Sequence, residues 1–158
     1  MPDPLSVAEE RRATVRALNA WSLARDGDEI PELSDLFDGS RQLGDREFLI
    51  KVDDDILDSV FIVFGSEIAL PEGERGAGSS VSRVKDPALR DMFCEACAKS
   101  VSDRVAVCRE CTIETASHAK AGYRCNFMPV RSGYEDTNMY VFGAFGIKAE
   151  PVGEPHVA

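Results

Sequence analysis

In the last third of the chain, apolar and polar positions form three runs. Val105–Glu114 alternates in part, Gly122–Arg131 alternates well, and Met139–Ile147 is almost wholly apolar. The breaks between them, Ala116-Ser117-His118-Ala119 and Ser132-Gly133-Tyr134-Glu135-Asp136, are rich in turn-forming residues. Such runs, so bounded, predict three consecutive strands joined by hairpin turns. Upstream, Glu47–Val52 puts Phe48, Ile50 and Val52 on one face and Glu47 and Lys51 on the other, a half-buried strand. Asp53-Asp54-Asp55 turns the chain. Ser59–Gly65 has no polar face through Val60, Phe61, Ile62, Val63 and Phe64, as expected of a strand covered on both sides.

Two stretches follow a helical period instead. In Leu5–Arg25, the residues Leu5, Ala8, Val15, Leu18 and Ser22, with Trp21 beside them, fall near helical spacing, and Glu9, Glu10, Arg11, Arg12 and Arg16 are left to water. Ser6 with Glu9 fits a capping box. Such a helix either docks a partner or lies on its own domain, the commoner use of an amphipathic helix. Asp86–Val101 begins with an N-cap aspartate and a proline at the first helical position, and Leu89, Met92, Phe93, Ala96 and Lys99-Ser100 mark its core-facing side. Between the first helix and first strand, Ile30–Phe37 is a short acidic segment in which Pro31 suits a helix start. Leu70–Ser82 is rich in glycine, serine and proline and reads as a crossover or pocket lid. Strands with helices segregated around them predict an α+β fold, one curved antiparallel sheet with helices packed on it.

With 158 residues the chain suits one domain with a sizeable core. The division expected is an N-terminal helix over 1–26, the sheet domain over 27–150 and a tail over 151–158. The net charge of −10 disfavours binding to nucleic-acid backbones and anionic membranes. No apolar run is long enough to span a bilayer, and Met1-Pro2-Asp3-Pro4 shows no secretory pattern. With five cysteines, an odd number, the reading is a reducing, cytoplasmic setting without a disulfide framework.

The element order is helix, two strands, a loop-rich stretch, a long helix and three strands. This resembles the PAS domain superfamily, and more narrowly the short PAS-like proteins of alphaproteobacteria. The features that carry the likeness are Trp21, Arg25, Gly27 and Pro31 at the end of the first helix, Gly65, Ser66 and Ile68 after the second strand, Pro129 late in the fourth strand and Gly143 in the fifth. They span most of the chain, from Trp21 to Ile147. Val63 or Phe64 stands where the pattern usually has a basic or aromatic residue in the second strand, and the cysteines lie outside the pattern. The resemblance implies a sensory or protein-interaction module rather than an enzyme. Such a module holds a small ligand between sheet and helices, or acts by dimerising, here through the N-terminal helix. A change in helix–sheet packing would carry the signal. Strand and helix faces nominate Phe61, Val63, Met92, Tyr123, Phe127 and Phe145 as ligand-facing positions, with the identity of any ligand or cofactor left open.

The competing chemistry is metal binding. Cys94-x2-Cys97 and Cys108-x2-Cys111 are ten residues apart, a spacing that fits a four-thiolate zinc site and a zinc-stabilised structural module. The placement argues otherwise. Cys108 and Cys111 lie in a strand at an odd offset, which puts them on opposite faces, and Ala98 and Thr112 stand where zinc knuckles usually carry glycine. Free thiols are the preferred reading, with Cys125 in the core beside Tyr123 and Phe127. Asp53, Asp54, Asp55 and Asp58 lack the spacing of a calcium loop, and Gly73–Gly78 lacks the Lys-Ser/Thr ending of a phosphate loop. His118 and His156 sit in polar segments with no nucleophile arranged beside them.

Overall fold

The computed structural model describes residues 4–25, 27, 29–37, 44, 46–64, 78–84, 86–114, 120–133 and 136–148, with side chains apart from those of 4–12, 63–64, 113–114, 120–121, 133, 136–138 and 147–148. The lid expected over Leu70–Ser82 falls mostly outside them, as do Gly65, Ser66, Ile68, the phosphate-loop candidate, His118 and His156.

The elements are α1 (Pro4–Ala24), α2 (Leu33–Leu36), β1 (Glu47–Lys51), β2 (Val60–Phe64), α3 (Pro87–Asp103), β3 (Val107–Glu114), β4 (Lys120–Gly133) and β5 (Asp136–Lys148), with short 3-10 turns at Ile56–Asp58 and Val81–Arg83. The five strands form one antiparallel sheet in the order β2-β1-β5-β4-β3. The fold is α+β, with an open sheet and helices. The three C-terminal strands are neighbours, and β1 joins them along β5.

α3 starts at its sequence signal, whereas α1 already begins at Pro4, so Ser6 lies inside the helix and the capping box expected at Ser6 and Glu9 is not its start. Asp86 Oδ1 accepts the Leu89 N–H at 3.0 Å, with Pro87 in the first turn of α3. Glu32 and Asp35 form a reciprocal capping box on α2. At the far end of α3, Arg104 takes the left-handed conformation and its N–H closes on the Ser100 carbonyl.

The sheet has two covered faces. Toward α3 lie Phe48, Ile50, Phe61, Val107, Tyr123, Cys125, Phe127, Val141 and Phe145. Toward α1 lie Leu49, Met128, Val130, Phe142 and Ala144. β1, expected to be half-buried with Glu47 toward water, is instead covered on both faces: Glu47 and Leu49 are buried along with Phe48 and Ile50, because α1 packs over the side that carries Leu49. Two further expectations are corrected here. The first is that β2 is covered on both sides. It is an edge strand of the sheet, paired with β1 and met on its other side, among the described residues, by the short segment 78–80 through the Val60–Ser80 bridge and backbone bonds to Phe61, and Ile62 is 43% exposed. An unbroken apolar run does not distinguish a central strand from an edge one. The second is the face of α1. Ala13, Ala17 and Trp21 are buried against the sheet, whereas Val15 and Leu18 are 54% and 39% exposed. The sheet side already carries bulky Met128, Val130 and Phe142, so alanines let the helix axis approach and the larger aliphatics turn outward.

Candidate functional site

Five of the six nominated ligand positions, Phe61, Met92, Tyr123, Phe127 and Phe145, share one buried cluster between the sheet and α3. Val63 pairs through its backbone with Leu49. The strand positions converge because they alternate on one face, and Met92 because it lies on the inner side of α3. Phe93, a core-side position of α3 but not one of the nominated ligand positions, stands at the centre of this cluster. Its ring centroid stands 5.7 Å from Phe48, 5.4 Å from Phe61, 5.5 Å from Phe127 and 6.3 Å from Phe145. Tyr123 and Phe145 are 4.8 Å apart. These are direct ring contacts, mostly edge-to-face. Phe61, Phe127 and Phe145 therefore meet at the Phe93 ring, and a ligand among them would have to part the rings.

On the opposite face, the motif residues around Trp21 gather into an anchor. Trp21 is 3% exposed, and its indole N–H donates to the Pro129 carbonyl at 2.8 Å. The Arg25 guanidinium lies 4.6 Å over the indole ring. Gly27 has φ of 66°, a left-handed turn that glycine adopts without strain. The Arg131 N–H then donates to the Pro31 carbonyl at 3.0 Å, and Arg131 Nε to the Ile30 carbonyl at 3.2 Å. A second pin lies mid-helix: Asn126 is buried, donates from Nδ2 to the Thr14 carbonyl at 2.7 Å and accepts the Ala144 N–H at 2.9 Å. So α1 is tied to β4 at two points, while Val15, Leu18 and Leu23, the last 86% exposed, point away from the sheet.

The paired cysteines do not meet at one point. The register sets Cys108 against Asn126, on the α1 side, and Cys111 against Tyr123, on the α3 side. Cys97 and Cys125 are fully buried, Cys94 and Cys111 half-buried, and Cys108 exposed. Among the described residues, no group of three or more His, Cys, Asp or Glu side chains is placed to hold a metal ion. Burial pushes the thiols of Cys97, Cys125, Cys94 and Cys111 above their ordinary range. Across this junction Arg109 makes a two-pronged contact with Glu95 of α3, both bonds 2.8 Å, and this holds the Glu95 carboxyl below its usual range. Because the thiolate is the reacting form, a disulfide-exchange reagent on native protein should modify Cys108 first and Cys94 and Cys111 slowly. Cys97 and Cys125 should react only on unfolding. Peptide mapping of the timed reaction checks the order, and early modification of Cys97 would contradict the packing around α3.

The acidic turn is solvated: Asp53, Asp54, Asp55 and Asp58 are all exposed. Asp55 caps the following 3-10 turn, accepting the Leu57 N–H at 3.1 Å. Among the described residues, no helix is long and apolar enough to cross a membrane. No family model matches the chain, and no curated protein matches it.

Proposed function

We propose that the protein is a PAS-like regulatory domain that works by protein contact, with α1 as its contact element and a second copy of the chain as partner. The chain order, one helix, a strand pair, a long helix and a three-strand meander closing into one sheet, supports the PAS-like part of this reading. The single observation that carries the contact reading is the orientation of α1. The helix is pinned by Trp21 and Asn126 along its alanine side and presents Val15, Leu18 and Leu23 to solvent. Exposed apolar side chains along a rigidly held helix are what a helix–helix contact uses. A helix tied to both β4 and β5 is also placed to report changes in sheet packing, the kind of two-state shift a regulatory domain needs. Small-ligand sensing is the less favoured form, since Phe93 fills the space between the candidate aromatic rings of Phe61, Phe127 and Phe145.

Sedimentation across a concentration series tests the reading. The native chain is expected to self-associate, and Leu18→Glu with Leu23→Glu to be monomeric and to melt cooperatively like the native chain at concentrations where that chain is itself monomeric, because both positions face water in the monomer. A native chain that stays monomeric throughout, or a double variant that still associates, would remove α1 as the contact element.

A further inference from the structure

On the α3 side of the sheet, away from α1, the end of β1 and the turn after it face the last two turns of α3 across an open groove of about 420 Å³. Val52, Ile56, Val101 and Met139 make its apolar floor, and Asp53 and Asp54 stand on its rim. The volume lies within the roughly 300–1,000 Å³ of small-molecule sites. We propose that this groove binds a small organic cation, an ammonium group carried on a short aliphatic chain.

Several features converge on that chemistry. Val52, Ile56 and Val101 are partly buried against the main core, so the floor is fixed by packing. The rim is fixed by hydrogen bonds. The Asp53 N–H donates to Ser59 Oγ at 2.9 Å, Asp53 Oδ1 accepts the Asp55 N–H at 3.2 Å, and Asp55 in turn caps the 3-10 turn that carries Ile56. Two sources of negative potential lie at the groove: the exposed residues Asp53 and Asp54 in its lining, and the C-terminal end of α3, whose last turn includes Val101 and Ser102. Among the described residues that line the groove there is no Lys or Arg; of the nearby cations, Lys99 is engaged by Asp103 at 2.9 Å, and Lys51 and Arg104 are exposed outside the lining. The chain's charge of −10 steers cations inward and anions away. A bare divalent ion fits poorly, because two rim carboxylates over hydrocarbon offer too few oxygens to replace its ligand shell. An aliphatic stem with a charged head matches both halves, laying its methylenes on the floor and leaving its ammonium at the rim.

Hexylammonium is the probe, with hexanol and hexanoate as controls, in a methyl-resolved NMR titration of the full chain at low salt. Saturable shifts are expected at the Ile56 and Met139 methyls, with a dissociation constant on the order of millimolar for so small a ligand. Hexanol should bind about threefold or more weakly and hexanoate not measurably, with the difference shrinking in high salt. Asp54→Asn should weaken hexylammonium by about threefold. Ala98→Leu places a larger side chain in the groove from an exposed helical position and should abolish the response while the remaining spectrum is kept. Equal affinity for hexanol would overturn the cation assignment. Shifts centred on Met128, on the opposite face, or undiminished binding by Ala98→Leu would overturn the site.

Discussion

Gly143→Ala is expected to destabilise the protein by about 4 kcal/mol or more, beyond the roughly 1–3 kcal/mol of ordinary overpacking. Gly143 lies in the middle of β5, opposite Phe48 of β1 on one side and Phe127 of β4 on the other. Those two rings meet beside it at 5.6 Å between centroids. A Cβ added there would stand 1.9 Å from the Asn126 carbonyl oxygen and 2.6 Å from Phe48 Cζ. A shift of the Phe48 ring relieves only the second contact; the first is with backbone and needs β4 and β5 to move apart. That movement also strains the Asn126 side chain, which accepts the Ala144 N–H and holds the Thr14 carbonyl of α1. The single methyl therefore acts on both layers of the fold. Urea denaturation followed by circular dichroism measures it. A loss under about 1 kcal/mol would mean that the two strands separate easily at this point, against the close approach seen here.

Much of this architecture is legible in the residue pattern, and the exceptions have physical causes. The start of α3 is written in Asp86-Pro87, and the face of β1 in the alternation of Phe48, Ile50 and Val52, because caps and pleats act over a few residues. Strand parity separates Cys108 from Cys111 without any knowledge of the fold, and the register agrees. The inner side of α1 is different. Hydrophobicity ranks Val15 and Leu18 above Ala13 and Ala17, but the sheet beneath is bulky, and the depth available between layers decides which face goes in. Trp21 alone would have indicated the correct side. The candidate site divides in the same way. That Tyr123 and Phe127 share a face follows from alternation. That Phe93 fills the space between them and Phe61 depends on the distance between helix and sheet, which no single segment encodes. The groove beside Asp53 brings together side chains from the turn after β1, from α3 and from β5 that have no sequence spacing in common.

Phe127→Ala is expected to lower stability by roughly 3–5 kcal/mol, the range for removing a buried aromatic side chain. Phe127 is fully buried at the centre of β4 and packs edge-on against Phe93 and at a tilt against Phe48. Truncation removes both ring contacts, each worth about 0.5–1.5 kcal/mol beyond area burial, and leaves a space that the sheet cannot close. The neighbouring strands are held in register by their ladders, and Gly143 opposite has no side chain to fill the gap. Phe127→Leu keeps much of the volume and should cost clearly less. The coupling to Phe93 gives a sharper test than either single loss. If the rings form one packed unit, the double variant Phe93→Ala with Phe127→Ala should depart from additivity by about 0.5–3 kcal/mol. Additive losses in chemical denaturation would mean that the two rings act separately. A loss near zero for Phe127→Ala alone would show that the space between α3 and the sheet is loosely filled, and that room for a ligand exists there after all.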